Sequence, residues 1–84
     1  MKLAFTERAW DEYVYWQAHD RTVLKRVNRL IEDVLRSPTA GIGKPEPLRH
    51  MASDVWSRRI TEEHRLVYIV ADDEITIVKA RFHY

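Results

Sequence analysis

Apolar residues in the first half of the chain recur at helical spacing and predict two helices. Each is preceded by a residue that can accept hydrogen bonds from free backbone N–H groups, Thr6 before the first helix and Asp20 before the second. Ser37 and Pro38 end the second helix, because proline cannot continue it. On the helix over 7–18 the residues sharing one side are Ala9, Trp10, Tyr13, Val14 and Gln17, and on the second helix they are Val23, Leu24, Val27, Leu30, Ile31, Val34 and Leu35.

The second half of the chain alternates apolar and polar residues, which predicts β-strands. The candidates are 55–60, 63–71 and 75–83, and a short strand is also expected at 2–5. The acidic turn "ADDE" joins the last two strands as an antiparallel hairpin. The expected fold class is therefore α/β in the broad sense (α+β), with the order β-α-α-β-β-β. It forms one domain over 1–84: a small twisted, mostly antiparallel sheet with both N-terminal helices packed on one face.

Alternation along the hairpin assigns its side chains to two faces. The face expected under the helices carries Leu66, Tyr68, Val70, Val78, Ala80 and Phe82. The opposite face carries Arg65, Val67, Ile69, Ile75, Ile77, Lys79, Arg81 and His83. It is apolar near the turn and cationic at the far end. Arg65 and His83 are therefore expected on the same face, at the same end of the hairpin.

Composition narrows the possible functions. The chain has 84 residues, a formal net charge of +1 and no cysteine, so disulfides and zinc–thiolate sites are excluded. The histidines lack the spacing of a metal site, and we expect no metal and no cofactor. The longest apolar run, "LVYIVA", is far shorter than a membrane span, and the first residues lack the apolar core of a signal peptide. We therefore expect a cytoplasmic protein without a membrane partner.

A long loop, 37–54, holds both glycines and all three prolines of the chain. Within it, "KPEP" places Lys44 and Glu46 each before a proline, which favours extended backbone at both positions. Such a loop can hold a carboxylate in place at low entropic cost. The same motif is also typical of a rigid surface turn with no chemical role, and the motif alone favours that interpretation.

Glu46 and His83, together with nearby arginines, form a set that could cleave RNA without a metal. A base removes the proton of the 2′-hydroxyl, the oxygen attacks the adjacent phosphorus, and an acid protonates the departing 5′-oxygen. Glu46 suits the base, His83 the acid, and Arg65 with Arg59 the phosphate, although residue types leave the division of roles open. Additional candidates for substrate binding are Lys44, Arg49, Arg81 and Tyr84. On position alone, a histidine at a strand end is more typical of an ordinary solvated surface.

Three segments of the chain resemble the YoeB toxins of the RelE-like superfamily: "GKPEPLRH", "WSRRITEEHRLVY" and the terminal "RFHY". The resemblance implies a toxin that enters the ribosomal A site of the 70S ribosome and cuts mRNA there. It implies Glu46 as general base, His83 as general acid, Arg65 and Arg59 on the phosphate, and Tyr84 beside the scissile nucleotide. It also implies an antitoxin of the YefM type and allows a homodimer. Arg49 stands where the family has lysine, and Phe82 where it has tyrosine.

Two other functions fit the same pattern of elements. A ParE-like toxin on this scaffold would poison DNA gyrase without cutting RNA, and it would need no acid–base pair. A non-catalytic module that binds RNA or ribosomes would need only the cations. The combination of Glu46, Arg65 and His83 favours the ribonuclease.

Overall fold

The computed structural model describes residues 1–52 and 54–82, so His83 and Tyr84 lie outside the described residues. The elements, in chain order, are β1 (Lys2–Phe5), α1 (Glu7–His19), α2 (Arg21–Arg36), β2 (Glu46–Pro47), β3 (Val55–Arg59), β4 (Arg65–Val70) and β5 (Glu74–Lys79). The expected α+β fold is confirmed, with one additional strand. Within the described residues, neither helix is long and apolar enough to cross a membrane.

Both helices begin at the predicted caps. The Thr6 hydroxyl accepts a hydrogen bond from the Ala9 N–H at 3.1 Å, and one Asp20 carboxylate oxygen accepts from the N–H groups of Thr22 and Val23, each at 3.1 Å. These bonds satisfy backbone donors that have no partner within the first helical turn. Asp20 has extended backbone and is both the residue that ends α1 and the cap that begins α2.

The sheet has the order β1-β5-β4-β3-β2, with β1 parallel to β5 and all other pairs antiparallel. The strand β2 is a correction to the prediction, which treated 37–54 as loop throughout. It is only two residues long, and Glu46 and Pro47 pair with Ser57 and Trp56. So short a strand has no periodicity of its own, and only its pairing partner reveals it.

The two faces of the sheet have different cores. The inner face packs against both helices and contributes Leu66, Tyr68, Ile75, Ile77 and Ala80. The outer face, which the helices leave uncovered, has a smaller apolar cluster of Leu48, Val55 and Val67, with Ile69 and Val78 beside it. Leu48 comes from the loop after β2 and is buried, so this loop folds over the middle of the outer face.

Part of the predicted alternation on β5 is wrong. Ile77 pairs with Tyr68, but Lys79 pairs with Val67, so Val78 is an extra residue in a β-bulge. Ile75 and Ile77 consequently lie on the inner face and Val78 on the outer face, the reverse of the prediction. After the bulge the alternation is shifted by one residue, so Lys79 lies on the outer face and Ala80 on the inner face, as predicted.

Candidate functional site

Arg58 holds the loop that leads to β2. Its side chain is fully buried, and its guanidinium donates hydrogen bonds to the carbonyl oxygens of Ser37, Ala40 and Ile42 at 2.6, 2.8 and 3.1 Å. It also forms an ion pair with Asp33 of α2. A single buried cation thus replaces water for three loop carbonyls, which fixes the path of the chain toward Glu46.

Two titratable groups complete this buried network. The hydrogen bond from Arg58, followed by that from the Ile42 N–H, holds the pKa of Asp33 below its ordinary value of 3.8. Burial raises the pKa of Tyr68, although the adjacent Arg58 partly opposes this. The Tyr68 hydroxyl accepts from Arg58 at 3.1 Å and donates to the Pro38 carbonyl oxygen at 2.6 Å. The network therefore joins α2, β3, β4 and the loop.

Gly41 and Gly43 allow the loop to approach α2 closely. A Cβ added to Gly41 would lie 2.0 Å from an Asp33 carboxylate oxygen, and one added to Gly43 would lie 2.7 Å from a Leu30 methyl carbon. Both glycines also have positive φ, 122° and 79°. The loop can reach this position only because both residues lack a side chain.

Lys44 departs from the predicted extended backbone. Its φ is 52°, in the left-handed region that non-glycine residues seldom occupy, even though a proline follows. The preceding carbonyl, of Gly43, accepts a hydrogen bond from the Arg59 N–H at 2.7 Å, and this anchors the bend to the end of β3. The extended prediction is correct for Glu46, which lies in β2 opposite Ser57.

Arg59 and Arg65 lie directly opposite each other on β3 and β4. Both belong to the outer face, because Ser57 and Val67 form the next pair on that side. Like charges in directly opposed positions of a sheet are destabilising unless an anion neutralises them. Among the described residues no carboxylate forms an ion pair with either arginine, and the pair is suited to binding a phosphate.

Glu46 lies on the same outer face, one row away from the arginine pair. It pairs with Ser57, which is two residues from Arg59 on β3, so Glu46 and Arg59 are diagonal neighbours. Diagonal neighbours in a sheet lie about 7–8 Å apart, within reach of long side chains. The Glu46 side chain is exposed and open to a substrate.

Arg65 is the most constrained of these three side chains. It is half-buried, and its guanidinium donates to the carbonyl oxygens of Thr61, Glu62 and His64 at 2.9, 3.3 and 3.3 Å. All three bonds come from one terminal nitrogen, Nη1. The turn between β3 and β4 thus fixes the direction of the guanidinium plane.

Lys44 and Arg49 flank this group along the loop. Lys44 is exposed at the entrance to β2, and Arg49 is exposed directly after Leu48, which is buried on the outer face. The turn after Leu48 is closed by a hydrogen bond from the Met51 N–H to the Leu48 carbonyl oxygen, at 2.9 Å. The structure therefore brings Lys44, Glu46, Arg59 and Arg65 to one end of the outer face, with Arg49 on the loop that crosses it.

Arg81 is not part of this group, and its predicted face is wrong. The strand β5 ends at Lys79, and the Arg81 guanidinium lies over the Tyr15 ring of α1, 3.5 Å from its centroid. It also lies 4.4 Å from the centroid of the Phe82 ring. Stacking on aromatic rings draws the cation toward α1. Lys79 was not a candidate site residue. It lies on the outer face opposite Val67, as the alternation predicted.

Two side chains from α1 hold the segment that follows β5. The Glu12 carboxylate accepts a hydrogen bond from the Ala80 N–H at 2.7 Å, and the Trp16 indole donates to the Ala80 carbonyl oxygen at 2.8 Å. Both backbone groups of Ala80 are thus paired outside the sheet. The strand ends here because α1 replaces the neighbouring strand as the hydrogen-bonding partner.

His64 was not among the candidate residues, yet it holds the last described residue. Its Nδ1 accepts a hydrogen bond from the Phe82 N–H at 2.7 Å, and the Phe82 carbonyl oxygen accepts from the Arg65 N–H at 3.0 Å. Phe82 has a φ of 65°, uncommon for a residue with a side chain. The Trp16 and His64 rings pack edge to face, with ring centroids 4.9 Å apart. No periodicity in the sequence indicates this role.

Replacing His64 by leucine should speed exchange of the Phe82 amide proton roughly 2- to 10-fold, the value of one ordinary hydrogen bond. His64→Asn is the matched control, because its side-chain oxygen can accept the same hydrogen bond in place of Nδ1. Hydrogen exchange followed by NMR measures both variants. Equal exchange rates in the leucine and asparagine variants would show that the ring contact with Trp16, and not the hydrogen bond, protects Phe82.

The register places one carboxylate, Glu46, and two arginines, Arg59 and Arg65, on the same face of the sheet. Groups of these types are the ones required to deprotonate a hydroxyl next to a phosphate and to stabilise the charge on its oxygens. The predicted acid, His83, and the predicted nucleotide contact, Tyr84, lie outside the described residues and stay predictions. Within 1–52 and 54–82 no group of three or more His, Asp or Glu side chains is arranged as a metal site.

The sequence and the structure are both similar to known toxins. Residues 5–84 match the family model described as a YoeB-like toxin of bacterial type II toxin–antitoxin systems. Toxin YoeB of Escherichia coli K12 is 56% identical over 84 residues, covering all of both chains.

Solved structures agree with the sequence comparison. The YoeB/ParE toxin from Agrobacterium tumefaciens superposes with a TM-score of 0.95 at 45% identity over all of both chains. YoeB in a heterotetrameric YoeB–YefM complex from Staphylococcus aureus has a TM-score of 0.89 at 39% identity, covering 100% of this chain and 98% of that one. The E. coli toxin YafQ shares the RelE-like fold at a TM-score of 0.78 with only 12% identity.

The family match covers residues 5–84, which include the three segments that carry the resemblance. The E. coli relative is 56% identical over the whole chain, far more than unrelated sequences share by chance. The chain therefore belongs to the YoeB-like toxins of bacterial type II toxin–antitoxin systems.

Proposed function

We propose that this toxin is an endoribonuclease that cleaves mRNA in the A site of the 70S ribosome and so inhibits translation. The observation that carries the proposal is the position of Glu46 on the outer face beside the opposed pair Arg59 and Arg65. A gyrase poison or a passive binding module would use the cations but would have no need of a carboxylate among them. The carboxylate among the cations supports acid–base chemistry on a phosphodiester.

The proposed reaction needs only the substrate's own hydroxyl as nucleophile. Glu46 takes the proton of the 2′-hydroxyl, and the 2′-oxygen forms a bond to the adjacent phosphorus while the bond to the 5′-oxygen breaks. The departing oxygen takes a proton from His83, which leaves a 2′,3′-cyclic phosphate and a free 5′-hydroxyl. Arg65 and Arg59 stabilise the charge that develops on the non-bridging phosphate oxygens.

The remaining candidates are assigned to substrate binding. Lys44 and Arg49 border the proposed phosphate site along the loop, where they would contact the neighbouring phosphates of the mRNA. Tyr84 would stack on or beside the scissile nucleotide. Arg81, stacked on Tyr15, would bind RNA on the α1 side and not at the reacting phosphate.

The partners follow from relatives and from the cationic surface. YoeB of S. aureus is found in a heterotetramer with YefM and also as a dimer. We extend both to this chain: a YefM-type antitoxin that inhibits it by covering the cationic end of the outer face, and a homodimer. Ribosomes as the site of action place the protein in the cytoplasm.

Primer extension on translating ribosomes tests the proposed function. The toxin should cut the mRNA at the A-site codon, and a 2′-deoxy substitution at the scissile nucleotide should abolish the cut, because it removes the nucleophile. Cleavage that survives the deoxy substitution would rule out the mechanism. Absence of cleavage together with inhibition of DNA supercoiling by gyrase would favour the ParE-like alternative.

A further inference from the structure

Phe82, the residue directly before the proposed acid His83, is held at both of its backbone polar groups. Its N–H donates a hydrogen bond to Nδ1 of His64 at 2.7 Å, and its carbonyl oxygen accepts one from the Arg65 N–H at 3.0 Å. The carbonyl carbon of Phe82 is the atom to which His83 is attached. The two hydrogen bonds therefore fix the point from which the chain continues to His83.

The backbone conformation of Phe82 depends on this support. Its φ of 65° is in the left-handed region, which costs free energy for any residue with a side chain. Phe82 is also 49% exposed, so burial contributes little to holding it. Strained conformations persist only where the surrounding groups determine them, and they are common at functional sites. Without the hydrogen bond to His64, the backbone would relax and the chain would leave Phe82 in another direction.

His64 is itself held firmly enough to act as an anchor. Its ring packs edge to face with that of Trp16, whose indole donates to the Ala80 carbonyl oxygen in the same segment as Phe82. The His64 N–H donates to the Thr61 hydroxyl at 3.2 Å, and its carbonyl oxygen accepts from the Ile60 N–H at 3.0 Å. The turn fixes the backbone of His64, and α1 fixes its ring.

His64 also contacts the arginine that is proposed to bind the phosphate. Its carbonyl oxygen accepts a hydrogen bond from Nη1 of Arg65 at 3.3 Å. One residue thus supports the Arg65 guanidinium through its backbone and Phe82 through its side chain. Because Nδ1 accepts a hydrogen bond, this nitrogen carries no proton and serves as an anchor rather than as a second acid.

We propose that His64 is a positioning residue for the general acid. Its Nδ1 fixes the backbone of Phe82 and so sets where His83 can protonate the departing 5′-oxygen of a phosphate that Arg65 holds. The proposal rests on the proposed function, which supplies the reaction and the role of His83. His64 needs no contact with the substrate, since it acts through Phe82.

The test uses two substitutions of His64 in the full-length toxin and one control. His64→Leu removes the acceptor, whereas His64→Asn restores it, because the asparagine oxygen is attached to Cγ as Nδ1 is. Tyr13→Phe is the control, since it deletes a hydrogen bond of 2.6 Å to Asn28 at the contact between the two helices. Single-turnover cleavage of mRNA is measured over a range of ribosome concentrations, and thermal unfolding shows that each variant is folded.

His64→Leu should slow cleavage at saturating ribosomes roughly 10- to 100-fold, because it removes one hydrogen bond and releases the strained backbone of Phe82. The ribosome concentration at half-maximal rate should not change. His64→Asn and Tyr13→Phe should cleave within about threefold of wild type. Equal large losses in the leucine and asparagine variants would overturn the proposal, since the imidazole itself would then be required. A wild-type rate in the leucine variant would overturn it as well.

A modified substrate tests whether His64 acts through the acid. In an mRNA with sulfur in place of the scissile 5′-oxygen, the leaving group is a thiolate, which is far less basic than an alkoxide and departs without a proton. The defect of His64→Leu should shrink to about threefold or less on this substrate, because the acid is no longer needed. An undiminished defect would overturn the proposal.

A double-mutant cycle provides a second test of the same point. In a His83→Gln background, His64→Leu should cost less than about twofold, because the group that it positions is already absent. The same fold-loss in both backgrounds would show that His64 acts through Arg65 or through the fold, and would overturn the proposal.

The positioning role and the nuclease fail in different ways. Wild-type toxin that does not cut mRNA on translating ribosomes would contradict the nuclease itself, whatever the His64 variants do. Wild-type toxin that cuts mRNA, together with a His64→Leu variant that cuts it equally fast, would overturn only the positioning role.

Discussion

Arg65→Ala is expected to slow mRNA cleavage on the order of 10²–10⁴-fold, the contribution typical of a phosphate cation or an acid–base group. The expectation follows from a guanidinium that three turn carbonyls hold in place, opposite Arg59 and on the face that carries Glu46. The measurement is single-turnover cleavage with saturating ribosomes, so that weaker binding does not enter the rate. An unchanged rate would show that Arg65 is only a surface cation of the sheet, with no part in the chemical step.

Arg65→Lys provides the matched control for charge. Lysine retains the positive charge but lacks the planar fork that binds two phosphate oxygens together. An intermediate rate would show that both charge and geometry contribute, and a rate equal to that of the alanine variant would show that geometry dominates. The melting temperature should change little in either variant, because the hydrogen bonds that Arg65 donates are made to a surface turn.

Arg58→Met is expected to lower the free energy of unfolding by about 3–5 kcal/mol, because it leaves several hydrogen-bond acceptors without their donor, at about 1–3 kcal/mol for each one that is buried. The substitution deletes the five hydrogen bonds that the fully buried guanidinium donates. It leaves Asp33 without its cation and the carbonyls of the loop without donors. Urea or thermal unfolding measures the change, and a loss below about 1 kcal/mol would contradict the role assigned to the network.

Asp33→Asn separates the charge from the packing. The pKa of Asp33 is lower in the folded protein, so the unfolded chain binds a proton first as the pH falls. The stabilisation is therefore complete well above the ordinary pKa of 3.8 and is lost as the pH falls through that value toward the folded pKa. The asparagine variant should lack this part of the acid dependence. Parallel curves of stability against pH for the variant and wild type would show that Asp33 is not the group responsible.

Much of the candidate site was predictable from residue type and spacing. Glu46, Arg59 and Arg65 were chosen as residues that act on a phosphodiester, and the structure places them on one face of the sheet. The family assignment was predictable as well, because it depends on local segments of sequence. Arg81 was misplaced because alternation holds only while the strand continues, and the contacts of Ala80 with α1 end the strand.

The sequence by itself determined the two helices with their caps and the strands other than β2. The apolar stripe of α2 and the cap at Asp20 are local properties, since side-chain spacing and nearby hydrogen bonds decide them. The inner and outer faces of β4 follow from alternation in the same way. These features do not depend on residues that are distant in the sequence.

Tertiary structure alone decided the features that depend on distant partners. The bulge at Val78 moves Ile75 and Ile77 to the inner face, because the register between β4 and β5 is set by how both strands pack under the helices. Arg58 and Arg59 are identical in type and adjacent in sequence, yet one is fully buried and the other exposed. The difference arises because Asp33 and the loop carbonyls, brought from elsewhere in the chain, surround only one of the two sides of β3.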